Sequence, residues 1–341
     1  MFRTRKQFSA PLAISIVLTL VSAVLAQPTP ARFSQTKAQA THSVSVSKVT
    51  YHGWPNSLVL SNGQVEALVV PAIGRVMQFH FVGEGSVFFE NREMDGKAPD
   101  PAAKDWGNFG GDKSWPSPQA DWEKVTKRSW PPPVGFDSMP VQATVKGKAV
   151  ELVSAVDPAY GIRERRRIEL ARREPVMTIT TTYEKVSGDP VKVGVWVITQ
   201  MAEPLRAFIV LPAKSQYPDG YTKLMDVRPR DLKVEDGLLS LTRDQKDATK
   251  VGTDGGTLLW MNEQDVLRID APRVAGAEYP DQGSSAEIYT NQDPLAYIEL
   301  ETLGPLSTMK VGDHMQRTNT YTLLRRTEKD PAAEAKKILG R

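Results

Sequence analysis

The chain has 341 residues, 43 Lys and Arg against 40 Asp and Glu, and no cysteine. Disulfides and thiol-based metal sites are therefore excluded, and the core has to hold by packing alone. Arg3, Arg5 and Lys6 account for the basic excess, and without them the charges balance, so nothing in the composition points to nucleic acid or an anionic membrane surface.

Those three cations precede an apolar run from Pro11 to Leu25, and Val24-Leu25-Ala26 matches the small-residue rule for leader cleavage. The expectation is an export signal over residues 1–26 cut after Ala26, with no membrane association afterwards and a periplasmic or secreted product. Residues 27–45 are polar and read as a flexible leader.

From residue 46 the pattern is that of short strands. Ser57–Leu60 and Gln64–Val70 flank Asn62-Gly63, which predicts a type I′ hairpin. Arg75–Val82 follows, and strict alternation places Val76, Gln78, His80 and Val82 on one face and Met77, Phe79 and Phe81 on the other. His80 either points into a cleft or is hydrogen-bonded at a sheet surface. Val87–Glu90 reads as a further short strand.

The segment Trp106–Trp122, WGNFGGDKSWPSPQADW, holds three of the seven tryptophans. Its glycines, prolines and charges predict an irregular but ordered surface loop, extending through Trp130-Pro131-Pro132-Pro133. Loops of this kind on a rigid scaffold are where binding residues concentrate. The alternative is that the indoles plug one end of a core.

Strand signals resume at Val141–Val145, Val150–Ala155, Gly161–Leu170, Val176–Tyr183 and Val191–Thr199. The run Arg163–Arg167 sits inside an alternating strand with Glu164, Glu169 and Glu184 available as partners, which predicts a solvated sheet face. Further strands are expected at Ala207–Leu211, Leu238–Thr242, Thr257–Asn262, Val266–Ala271, Ala286–Thr290, Ala296–Leu303 and Thr318–Arg325. One helix is predicted at the end, with Asp330 as N-cap and Pro331 in its first position. Many short strands and one helix imply an all-β, layered antiparallel architecture, with one domain over residues 46–328 and the helix over 329–341.

No phosphate-binding or dinucleotide glycine motif, H-E-x-x-H metal motif or G-x-S-x-G elbow occurs, so no cofactor and no metal is expected. What remains is carboxylates, amides and aromatics. Glu299 and Glu301 alternate with Ile298, Leu300 and Thr302, so both acids share one face of a strand. Buried together, one would have a raised pKa suited to proton transfer; on an edge strand both would face water.

The order NGQVEALVVPAIGRVMQFHF, NFGGDKSWPSPQADW, VGVWVITQMAEP, then EIYTN, AYIELETLGPL and KVGD resembles the DUF4380 family, over about Val49 to Arg326. That family is similar to the galactose mutarotase-like, or aldose 1-epimerase-like, superfamily. The resemblance implies a β-supersandwich with a concave carbohydrate site and a Glu in a late L-E-T strand as general base. Glu301 matches that position, with Glu299 as its alternative. The histidine that protonates the ring oxygen in those enzymes has no counterpart in Val193–Gln200; His80, His314 and Lys113 are the candidates to replace it. Residue chemistry points the same way, because indoles stack on pyranose rings while amides and carboxylates hold hydroxyls. Trp106, Trp115, Trp122 and Trp196 are the expected platforms. Asn108, Asp112, Lys113, Gln119 and Gln200 are the expected polar contacts. The expected ligand is a sugar or uronate, bound or acted upon; the alternatives are recognition without chemistry and a structural or protein-interaction module.

Overall fold

Period-two alternation over most of the chain requires strands with one face inward. In the computed structural model, which describes residues 43–341, these form two stacked antiparallel sheets. The expected signal and residues 27–42 lie outside the described residues. The first sheet has eleven strands. From one edge its order is Ser45–Tyr51, Trp54–Ser61, Val65–Val70, Arg75–Phe81 and Asp112–Ser117, reaching Val191–Ala202 at the centre. Tyr297–Leu303, Ala286–Thr290, Thr249–Thr253 and Thr222–Lys223 complete it, and Ser307–Met309 pairs with the start of the central strand. The second sheet has ten strands, running from Lys233–Glu235 through His314–Arg325 and Val176–Lys185 to Val141–Lys146.

Between the sheets, Leu60, Val76, Phe79 and Leu300 meet Ile168, Met177, Ile269 and Leu323. Full burial of such side chains contributes roughly 1.5–3 kcal/mol each. The C-terminal helix Pro331–Leu339 begins as expected, with the Asp330 carboxylate accepting from the Ala333 amide at 2.9 Å, and ends in left-handed Gly340. Ala335 packs on Phe208 and Leu259 of the second sheet. Among the described residues no helix is long and apolar enough to cross a membrane.

Local geometry departs from the expected pattern in four places. Gly63 alone has positive φ, so the Asn62-Gly63 turn is not type I′. The Asn62 side chain shapes it instead, accepting from the Gln64 and Val65 amides at 2.9 Å each. A register shift opposite Leu68/Val69 inserts Met77 as an extra residue, so Val76 and Phe79 enter the same core rather than opposite faces. Val87–Glu90 makes isolated bridges only, through Phe88 and Glu90. Asp112–Ser117, expected as irregular, is a fully buried strand.

That strand also carries a polar cluster into the sandwich. Arg166 pairs with the Asp112 carboxylate, which further accepts from Thr199 Oγ1 at 2.7 Å and from the Tyr321 hydroxyl at 2.6 Å. Asp112 therefore cannot serve as a ligand contact: alternation turns it inward while Lys113 and Trp115 turn outward. Arg163, Arg165 and Arg167 form the expected solvated face, paired with Glu184, Glu151 and Glu169. Arg166 and Glu164 point the other way, and burial pushes Glu164 up to about 7 against the pull of Arg166. Replacing Asp112 with Ala leaves Arg166 buried and unpaired, so the variant should lose about 3–5 kcal/mol of unfolding free energy in denaturant titration.

Candidate active site

Cross-strand register assembles the site on the outer face of the first sheet. Trp115 lies opposite Trp196, and Lys113 opposite Ile198. Ile198 and Gln200 lie opposite Glu301 and Glu299, which in turn lie opposite Glu287 and Tyr289. Lys250 on the next strand lies opposite Tyr289. Glu299 and Glu301 thus share a face as expected, but on a central strand and not a solvated edge, with only 8% and 1% exposure.

A cavity of about 630 Å³ opens over this row. Trp106, Trp115, Trp130 and Trp196 wall it, with Trp115 edge-on to the other three at 5.5–5.9 Å between centroids. Behind the wall Asp137 fixes two of these rings: it accepts from the Trp106 and Trp115 indole N–H groups at 3.1 Å each. The same carboxylate pairs with buried Arg75 at 2.9 Å. The floor consists of Tyr289, Tyr297, Glu299, Glu301 and Lys250, and Gln119, Asp281 and Gln282 border it.

On the floor, Glu301 Oε2 accepts from Trp196 Nε1 at 2.6 Å and faces Lys250 Nζ at 2.9 Å. Lys250 also reaches Glu287 Oε2 at 2.6 Å. Burial raises the Glu301 carboxyl; Lys250 opposes that shift and Glu299 adds to it. Burial lifts Glu287 well above the usual carboxylate range, against Lys250. Burial would lower Lys250, but Glu287 and Glu301 outweigh it and hold the ammonium protonated. Glu299 Oε1 takes Gln200 Nε2 at 2.8 Å and Lys113 Nζ at 3.5 Å. Burial lowers Lys113 to about 8, against the attraction of Glu299.

Of the residues singled out in the sequence, Trp106, Trp115, Gln119, Trp196, Glu299 and Glu301 border the cavity, and Lys113 and Gln200 lie directly behind Glu299. The others do not reach it. Trp122 is a buried plug whose indole donates to the Pro116 carbonyl at 2.8 Å. Asn108 caps its own loop, accepting from the Gly110 amide at 3.2 Å. His80 contacts the Phe81 carbonyl at 2.9 Å on a strand that contributes nothing to the cavity, and His314 is exposed opposite Glu184. Neither histidine stands beside Glu301. Trp130, Asp137, Lys250, Asp281, Glu287, Tyr289 and Tyr297 were not anticipated. For Lys250 the available signal was the alternation in Thr249–Thr253, masked by its turn-rich flanks. Among the described residues no cluster of three or more His, Cys, Asp or Glu has a metal-holding arrangement.

The two stacked antiparallel sheets match the fold of galactose mutarotase-like proteins of known structure. A galactose mutarotase-like protein from Lactobacillus casei ATCC 334 superposes with TM-score 0.54 at 8% identity, covering 79% of this chain and 100% of that one. A galactose mutarotase related enzyme from Lactobacillus acidophilus gives TM-score 0.50 at 9% identity, with coverage of 79% and 97%. A TPR-domain containing protein from Parabacteroides distasonis ATCC 8503 gives 0.53 at 11%, covering 81% of this chain, which spans about half (48%) of that one. No curated protein matches in sequence. The chain belongs to the DUF4380 family, a domain of unknown function, whose profile matches residues 56–324.

Lys113 offers a direct check on the site's electrostatics. Its folded pKa of about 8 lies below the ordinary 10.5, so between those values the unfolded chain binds more protons and stability rises with pH. Chemical denaturation across that window should show a gain of up to about 3 kcal/mol in the wild type that Lys113→Met lacks.

Proposed function

We propose that the protein binds a sugar in the tryptophan-walled cavity, with one pyranose ring against the indoles and its hydroxyls over the Glu299–Glu301 floor. The observation that carries this is the meeting of four indoles and two buried acids in one cavity of about 630 Å³. Volumes of this size suit small-molecule ligands, and indole faces complement the C–H faces of a sugar ring. The mutarotase-like fold supports the same ligand class.

Glu301 is the base in this proposal. Trp196 and Lys250 hold its Oε2, while among the described residues no group donates to Oε1. A hydroxyl placed there would give up its proton to a carboxyl whose affinity burial has already raised. Recognition without turnover is the second reading, favoured by what surrounds the base. Among the described residues no histidine borders the cavity, Lys250 is locked between two acids, and burial with Glu299 and Glu301 pushes the Tyr289 phenol up to about 12. Among the described residues that border the cavity, a ring oxygen would find no donor of ordinary acidity, since Lys113 stands behind Glu299.

Calorimetric titration with a panel of monosaccharides, combined with NMR exchange between anomers, separates these readings. Trp115→Ala should weaken binding about tenfold or more, given the stacking area it removes. Glu301→Gln should abolish anomer exchange if Glu301 is the base. If the wild type binds but exchanges anomers no faster than buffer, recognition stands alone. If no sugar binds, both readings fail.

We propose further that the protein is exported to a bacterial periplasm, on the strength of the charged, apolar and small-residue pattern of residues 1–26. Intact mass of the protein recovered from the periplasm should correspond to a chain beginning at Gln27; an uncleaved chain retained inside the cell would refute this.

A further inference from the structure

The charges around the cavity are not balanced. Asp281, Glu299 and Glu301 border it together with Lys250, Lys113 stands behind Glu299, and among the described residues no arginine borders the space. Both ammonium groups are already matched: Lys113 stands against Glu299, and Lys250 against Glu287 and Glu301 together. The acids, by contrast, retain free acceptors. Glu301 is 1% exposed and Glu299 8%, both border the cavity, and among the described residues neither Glu301 Oε1 nor Glu299 Oε2 accepts a hydrogen bond. The Asp281 carboxylate, also at the cavity, makes no hydrogen bond or ion pair with any of the described residues. Its backbone sits in a run of three positive φ values, 48°, 60° and 94° at Asp281, Gln282 and Gly283. Thr222 anchors that turn by donating to Gln282 Oε1 at 2.8 Å.

An anionic ligand group entering here would meet surplus negative charge and no free cation. A protonated amine would meet free carboxylate oxygens in a partly desolvated space, where charge-assisted hydrogen bonds are strong, and indole faces that favour cations. Building on the carbohydrate reading, we propose that the preferred ligand is an amino sugar. Its ring stacks on the tryptophan wall and its ammonium group is held by Asp281, Glu299 and Glu301. Of the sugar or uronate expected from sequence, the uronate is the ligand this site disfavours.

The test is calorimetric titration of the full mature chain at about pH 6.5, where a sugar amine is protonated. Glucosamine and galactosamine are each compared with the parent hexose, the N-acetyl derivative and the uronate. In at least one series the amine should bind about tenfold tighter than the parent, acetylation should remove that gain, and the uronate should bind weakest. Asp281→Asn keeps a residue type that tolerates left-handed backbone, and should reduce the amine-to-parent affinity ratio at least about threefold. A parent hexose or uronate that binds as tightly as the amine overturns the amino-sugar proposal and leaves the sugar site standing. Tetramethylammonium binding as tightly as the amino sugar overturns it as well, because the site would then read charge alone. Absence of binding by every sugar removes the carbohydrate reading itself.

Discussion

The register between Asp112–Ser117 and Val191–Ala202 is the constraint on which both faces of the molecule depend. With Trp115 opposite Trp196 and Lys113 opposite Ile198, the indoles and the acidic floor share one surface. A slip of one residue would turn Lys113 into the sandwich and Asp112 into the cavity, and both sites would be lost together. The register is locked from each side. Inward, Arg166, Thr199 and Tyr321 hold Asp112; outward, Asp137 holds the Trp115 ring. The entry to the strand is fixed as well, since a Cβ on Gly110 would lie 2.2 Å from the Phe89 carbonyl oxygen and one on Gly111 2.6 Å from that of Val76. Only glycine can bring the chain that close with positive φ.

The same features explain how much of the fold and site could be read in advance. Strands such as Val176–Lys185 and Ile162–Leu170 alternate buried and half-exposed positions cleanly, and their sequences announce it. Asp112–Ser117 does not, because Gly110, Gly111 and Pro116 are breakers in most settings. Here the glycines make the close approach. Pro116 breaks no ladder on its open flank, where the neighbouring strand pairs only at Val76–Asp112. The shared face of Glu299 and Glu301 was legible from spacing, but not its burial, which follows from the central place of their strand. Trp130 could not be assigned because its role depends on the chain folding back after three prolines. His80 was plausible by alternation alone, and the position of its strand, which contributes nothing to the cavity, removes it.

What keeps so acidic a floor in place is a set of partners supplied by the protein itself. Lone buried carboxylates would be protonated or would unfold the sheet, yet Lys250 spans two of them and stacks over Trp196 at 4.6 Å. Asp137 does the corresponding work on the wall, where a single carboxylate joins Arg75 to two indoles. These groups bind the rings and acids that border the cavity, which are therefore oriented before anything enters. Orientation made in advance lowers the ordering cost of binding, and it leaves the surplus acceptors of Glu299, Glu301 and Asp281 as the groups a ligand has to satisfy. On the proposed sugar reading, selectivity is therefore set less by the indole wall, which accepts many rings, than by which carboxylate oxygens remain free.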